Sequence, residues 1–247
     1  MPGRLPLMTA KWRELANGLS AALHLNDAPI AITFTAGAGP PGVPAFAEPM
    51  PAAAADGRTG RVPAGCVFWM KAAERTFTTV AEDHANCSVG SMTHGFKTLD
   101  EVAGNSDVAA LLESGWVTMD MVPAIPVVTE RPSHVTYGPL AETPVDPDVV
   151  LLRLNAKQLM VLSDALPGLR VEGKPQCHIV AAAKEQGEVV ASVGCMLSRT
   201  RTGMSSGEVT CAIPAGRLGE VVERLESTAR ADAAVASYAA EDARRFS

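Results

Sequence analysis

Between Asp83 and Gly95 the chain reads Asp83-His84-Ala85-Asn86-Cys87-Ser88-Val89-Gly90-Ser91-Met92-Thr93-His94-Gly95, a thiol between two imidazoles among small polar residues. A cysteine at a helix start meets unpaired backbone N–H groups and the positive end of the helix dipole, and both lower a thiol pKa. His84, three residues earlier, is placed to act as its base if the turn brings it close. His94, seven residues later, falls on the same helical face about two turns on. His84, Cys87 and His94 are therefore the catalytic candidates. The plainer alternative is a capped helix start with surface histidines. Glu82 and Asp83 are placed to orient His84.

Two further stretches carry chemistry. In Cys177-His178 adjacent side chains point apart, so Cys177 is the candidate for a shared site and His178 is structural. Gly173-Lys174-Pro175 before it is a turn that could bring Lys174 to a pocket, against the plain reading of a solvated lysine. Ser198-Arg199-Thr200-Arg201-Thr202-Gly203 offers Arg199 and Arg201 for bidentate binding of a carboxylate or phosphate, or is a solvated turn. It is not a phosphate-loop signature, and Gly37-x-Gly39 is not a dinucleotide fingerprint. Met119-Asp120-Met121 reads as packing. The five cysteines, Cys66, Cys87, Cys177, Cys195 and Cys211, are odd in number and form no CxxC pair. A disulfide framework is not expected, and any shared thiol site must be assembled by the fold from distant elements.

The elements that must do the positioning alternate. An amphipathic helix over residues 9–24, capped by Thr9, carries Trp12, Leu15, Leu19 and Leu23. A strand at 29–34 follows, then a Gly/Pro/Ala-rich stretch at 36–64 that reads as a long irregular insertion loop. Helical composition at 65–74 and strand composition at 76–80 lead into the thiol–imidazole segment. A short helix opens at Ser106, and residues 116–137 suggest short strands and turns. Residues 147–154 are the clearest buried strand, and Asn155 caps the helix after it, which makes a βα unit. Residues 177–185 read as helix and 188–194 as strand. A strand at 208–213 and a helix carrying Leu218, Val221, Val222 and Leu225 follow. The Ala-rich tail is also helical. The fold expected is α/β: a mixed β-sheet flanked by helices in a single domain over 1–247, with a core at about 9–228 and a helical tail at 229–247.

The chain is 247 residues long, 47% apolar and 19% charged, with a formal net charge of −6. Such a composition builds a sizeable core and excludes global disorder. The acidic balance argues against nucleic acid as a partner. No run approaches the roughly 18 apolar residues of a membrane span, and Met1-Pro2-Gly3-Arg4-Leu5-Pro6 has no apolar signal core. No membrane association and a cytoplasmic location are expected. Ala233, Val235, Ala236, Ala239 and Ala240 give the tail a small-residue face for a second copy, which predicts a homodimer.

An ordered set of motifs runs through nearly the whole chain. Trp12-x2-Leu15 and Pro29-Ile30-Ala31-Ile32 come first, then Gly65-Cys66 with Lys71-Ala72, and Asn86-Cys87-x2-Gly90. Pro147-Asp148-Val149-Val150, Gln158-x-Met160, Gly173-Lys174-Pro175, Ser192-x-Gly194-Cys195 and Ile213-Pro214 follow. Over roughly residues 11–228 the chain resembles the domain of unknown function 169 family of bacteria and archaea, which has no settled activity. The resemblance places family cysteines at Cys66, Cys87, Cys177 and Cys195, while Cys211 stands at an ordinary strand position. Where many members have Cys-x-x-Cys, this chain has Gly194-Cys195-Met196-Leu197-Ser198, with Ser198 in place of the second cysteine.

Four thiolates from distant elements suit an iron–sulfur cluster, and zinc is the alternative. The leading expectation is a metal-dependent enzyme in which Cys66, Cys87, Cys177 and Cys195 hold a 4Fe-4S cluster. It would perform reductive or Lewis-acid chemistry, as an oxidoreductase or lyase, on a small molecule. His84 or His94 would move the proton, and Arg199, Arg201 or Lys174 would fix an anionic group. The alternatives are a metal-free enzyme with Cys87 as nucleophile and a non-catalytic small-molecule binding module.

Overall fold

A computed structural model describes residues 4–47, 65–85, 87–173, 175–195, 198–199 and 204–246, with residues 4–9, 66 and 246 described in their backbone only. Seven strands form one mixed sheet in the order β2-β3-β1-β4-β7-β6-β5. They are β1 (Ile30–Thr35), β2 (Phe77–Thr79), β3 (His134–Pro139), β4 (Val149–Leu154), β5 (Arg170–Glu172), β6 (Val190–Ser192) and β7 (Val209–Pro214). All neighbours are antiparallel except β5 and β6. The central strands β1, β4 and β7 are apolar on both faces because helices cover both. Alternation along the strands sends Ala31, Val150, Leu152, Cys211 and Ile213 to one core, and Ile30, Ile32, Val149, Leu151 and Ala212 to the other.

The first core is closed by α1 (Arg4–Leu23), α6 (Ala156–Ala165) and α8 (Leu218–Phe246) through Trp12, Leu19, Leu162, Leu218 and Leu225. Gly18 lets α1 and α8 meet closely, since a Cβ there would stand 2.7 Å from Val222. The second core is closed by α2 (Gly65–Ala72) and α7 (His178–Gln186) through Phe68, Trp69, Ile179 and Val180. Three shorter helices, α3 (Ser88–Thr93), α4 (Leu99–Val102) and α5 (Ser106–Glu113), bridge β2 to β3.

Several boundaries differ from the sequence reading. Helix α1 begins at Arg4, so Thr9 lies inside it and is not its cap; Pro6 is tolerated because the first turn needs no N–H donor there. The 36–64 stretch is not wholly irregular. The Phe46 N–H donates to the Thr78 carbonyl at 2.7 Å, and the Thr78 N–H donates to Pro44 at 2.9 Å, which lays residues 44–46 along the β2 edge. Phe46 is thereby buried against Phe68 and Phe77; residues 48–64 of the stretch lie outside the described residues. In 116–137 the only strand is the start of β3, and α8 runs through the join between the last two helical stretches. No helix among the described residues is long and apolar enough to cross a membrane.

Candidate functional site

Strand β2 delivers Thr79 to the second core, and a 3-10 turn, Ala81–His84, follows it. Asp83 closes that turn by accepting the Val80 N–H at 2.9 Å. It therefore holds the backbone, and the residue that orients His84 is Thr79. The Thr79 hydroxyl donates to the Val135 carbonyl at 3.2 Å, and its oxygen lies 2.9 Å from His84 Nε2. With the hydroxyl proton given to Val135, Nε2 carries the ring hydrogen and donates to Thr79, leaving Nδ1 as a bare lone pair; a hydroxyl turned to Nε2 would put the ring hydrogen on Nδ1 instead. His84 is buried, and its Nδ1 has no hydrogen-bond partner among the described residues.

His94 reaches the same place from the far end of α3. Its Nδ1 lies 2.9 Å from the Gly90 carbonyl, which can only accept, so Nδ1 carries the hydrogen. Its Nε2 is then a bare lone pair, buried and without a partner among the described residues. The two rings lie 5.3 Å apart. Phe68 and Phe96 stand 4.8 and 4.7 Å from the His84 ring, Tyr137 stands 6.3 Å from it, and Phe34 stands 5.6 Å from that of His94. Apolar surroundings penalise the charged imidazolium. Burial pushes His94 down to about 4 against the opposing pull of the Gly90 carbonyl, and burial with the neighbouring His94 pushes His84 well below the usual range. Both rings are therefore neutral near pH 7 and offer a hydrogen-bond acceptor, not a strong base. The buried Trp69 Nε1 and Ser91 Oγ beside this core are also without partners.

Cys87 is half-buried and caps α3, its Sγ accepting the Gly90 N–H at 3.3 Å. Gly90 thus donates its N–H to the thiol sulfur and accepts the His94 ring hydrogen on its carbonyl. A Cβ at Gly90 would stand 3.3 Å from that sulfur, which explains the small residue in Asn86-Cys87-x2-Gly90. The start of α3 is held from α5. The Asp107 carboxylate accepts the Ser88 N–H at 2.9 Å and the Ser88 hydroxyl at 2.7 Å, and Asn105 donates to the same hydroxyl at 2.8 Å. On the other side Asp148 accepts the Phe34 N–H at 2.7 Å and the Lys184 ammonium at 2.9 Å, fixing the ring that touches His94.

Cys177 caps the start of α7 and packs half-buried against the second core. His178 turns away and meets Glu172, as its adjacency predicts. Cys195 follows β6, and its Sγ accepts the Ser198 N–H at 3.3 Å. The Ser198 hydroxyl accepts the Cys195 N–H at 3.1 Å and donates to the Cys195 carbonyl at 2.9 Å, so it closes this turn. The Arg199 guanidinium donates to the carbonyls of Ser205 (2.7 Å), Glu208 (2.9 Å) and Val193, and clamps the segment between β6 and β7. Lys174, Arg201 and the Cys66 side chain lie outside the described residues. Cys211 is fully buried on the opposite face of the sheet, and burial raises its thiol far above the reactive range. Among the described residues, no three His, Cys, Asp or Glu side chains stand together where they could hold a metal ion.

The structure therefore brings His84 and His94 together and ties Cys87 to His94 through Gly90. Sequence reasoning missed Thr79, Trp69, Ser91 and the aromatic wall. A usable signal was the scarcity of aromatic residues: the chain has eight phenylalanines and tyrosines, and four of them stand against this histidine pair.

The family model of domain of unknown function 169, described as "Uncharacterised ArCR", matches residues 18–224. The chain belongs to this family. The match spans the whole sheet and every described site residue. No curated protein and no solved structure matches the chain.

Proposed function

We propose that the chain is an enzyme acting on a small molecule at the His84–His94 pair, with Cys87 as its reactive thiol. The observation that carries this reading is the pair of imidazole nitrogens His84 Nδ1 and His94 Nε2, on two neutral rings and both buried without a partner among the described residues. A buried acceptor left unpaired costs about 1–3 kcal/mol, so two in one place mark a site kept for a ligand's N–H or O–H groups. A neutral imidazole there accepts a hydrogen bond from such a group at pH 7, and Cys87 supplies a sulfur that already accepts a backbone N–H. The test is competitive alkylation with iodoacetamide at pH 7. Cys87 is expected to react well ahead of Cys177 and Cys195, and His94→Gln to slow it. Equal, slow labelling of all three thiols would reduce the site to a non-catalytic binding module.

A second reading, an iron–sulfur enzyme, is supported by where the family-matched cysteines stand. Cys66 is the second residue of α2, Cys87 and Cys177 cap α3 and α7, and Cys195 opens the turn at 198–199. Cys87 and Cys195 share the same backbone N–H to sulfur bond at 3.3 Å. Cys66, Cys87, Cys177 and Cys195 would hold the cluster, which would supply reductive or Lewis-acid chemistry, with zinc as the alternative metal. An absorption spectrum and metal analysis of anaerobically purified protein test it. Colourless, metal-free protein that takes up no cluster on reconstitution removes this reading and leaves the first intact.

An odd number of cysteines with no CxxC pair does not suit a disulfide framework, which supports a cytoplasmic location. The homodimer proposal rests on α8, whose outer half is exposed throughout, with Val235 and Tyr238 among its large exposed apolar residues. A monomeric mass by light scattering would refute it.

A further inference from the structure

Helix α5 has an apolar stripe and no buried residue. Its Val108, Leu111 and Leu112 are half-buried and line a cavity of about 210 Å³. Met92 of α3, Val102 of α4 and Val117 stand on the other walls, and Asp100 is the only charged lining residue. A surface helix turns such a stripe onto a core; this one turns it onto a hollow.

We propose that this cavity binds a small uncharged apolar molecule, of the size of one aromatic ring with a short alkyl substituent. The dimensions select the occupant. An apolar cavity of about 150 Å³ already takes benzene, and about 210 Å³ leaves room for one to three more carbons. Water is a poor filler, because a buried water needs two to four polar partners and these walls are apolar but for Asp100. The Asp100 carboxylate also repels an anionic ligand, which favours a neutral molecule over a carboxylic acid. The cavity borrows α3 through Met92 but uses none of the polar atoms around His84 and His94, so the two sites can succeed or fail separately.

The probe is toluene, added to the full chain during thermal unfolding, with benzoate as the anionic comparison and ¹²⁹Xe NMR as a second readout. Toluene is expected to raise the Tm saturably at fixed protein concentration, benzoate to leave it unchanged, and xenon to show a protein-dependent shift. Leu111→Trp fills the cavity and is expected to abolish both responses while circular dichroism stays that of the parent. If that variant does not fold, the wild-type xenon titration decides alone. No saturable toluene response together with bulk-like xenon overturns the proposal. So does an equal toluene response in folded Leu111→Trp, and so does a dimer by light scattering whose dissociation is needed for binding, since a second copy would then cover this face.

Discussion

The buried His94 makes stability depend on pH with a sign and size that the structure dictates. Its pKa is about 4 in the fold and 6.5 when the chain is unfolded, burial being the main cause. The folded value is the lower one, so the unfolded chain binds the extra proton. Stability from this group is present in full above pH 6.5 and is lost as the pH falls through the window down to about 4. Two and a half units at about 1.4 kcal/mol each give a loss of about 3.5 kcal/mol, most of it by pH 4.5. The perturbation is His94→Gln, which keeps a side-chain N–H for the Gly90 carbonyl but does not titrate. Urea unfolding of both proteins at pH 7 and pH 4.5 reads the effect. The wild type is expected to lose about 2–3 kcal/mol more than the variant between the two pH values. His84 contributes a loss of the same sign, but it remains in both proteins and largely cancels. Equal losses in wild type and variant would refute the reasoning, because they would mean that His94 titrates alike folded and unfolded and is not sealed from water.

Asp107→Ala removes the acceptor of both the Ser88 N–H and the Ser88 hydroxyl; chemical denaturation is expected to show a loss of about 1–3 kcal/mol, with slower alkylation of Cys87. Gly95 has φ +78° and a Cβ there would meet the Val128 carbonyl at 2.6 Å. Gly95→Ala should therefore cost about 2–4 kcal/mol and disturb the turn that carries His94, seen as a lowered Tm. Glu208→Ala breaks the two-pronged contact with Arg153, at 2.7 and 3.1 Å, in a pair whose side chains are each 14% exposed. Asp27 remains 3.4 Å away as partial compensation, so a loss of about 2–3 kcal/mol by urea unfolding is expected, and less for Glu208→Gln.

Wherever local chemistry decides, the amino-acid sequence was legible. The apolar run Val149–Leu154 could only be a strand covered on both faces, and it stands beside β1 and β7 at the centre of the sheet. Asn155 caps α6 by accepting the Gln158 N–H at 2.9 Å while Gln158 accepts the Asn155 N–H at 2.7 Å, a bond pair between residues three apart. The mixed sheet, the thiol at the start of α3 and the family membership were likewise readable from neighbours in the chain.

Contacts between distant residues settled the rest. Nothing within a few positions of His84 says that its ring will be buried against Phe68 and Tyr137, or that Thr79, held by Val135 of another strand, will choose its tautomer. Arg199 looked free to bind an anion because its composition is that of an anion site, yet its donors end on the carbonyls of Val193, Ser205 and Glu208 once β6 and β7 pair. The half-buried stripe of α5 reads in sequence like any amphipathic face, and only the placement of α3, α4 and Val117 makes it the wall of a cavity. Periodicity and capping act over three or four residues. Burial, tautomer and cavity are properties of what the closed sheet brings together, and they exist only after it has closed.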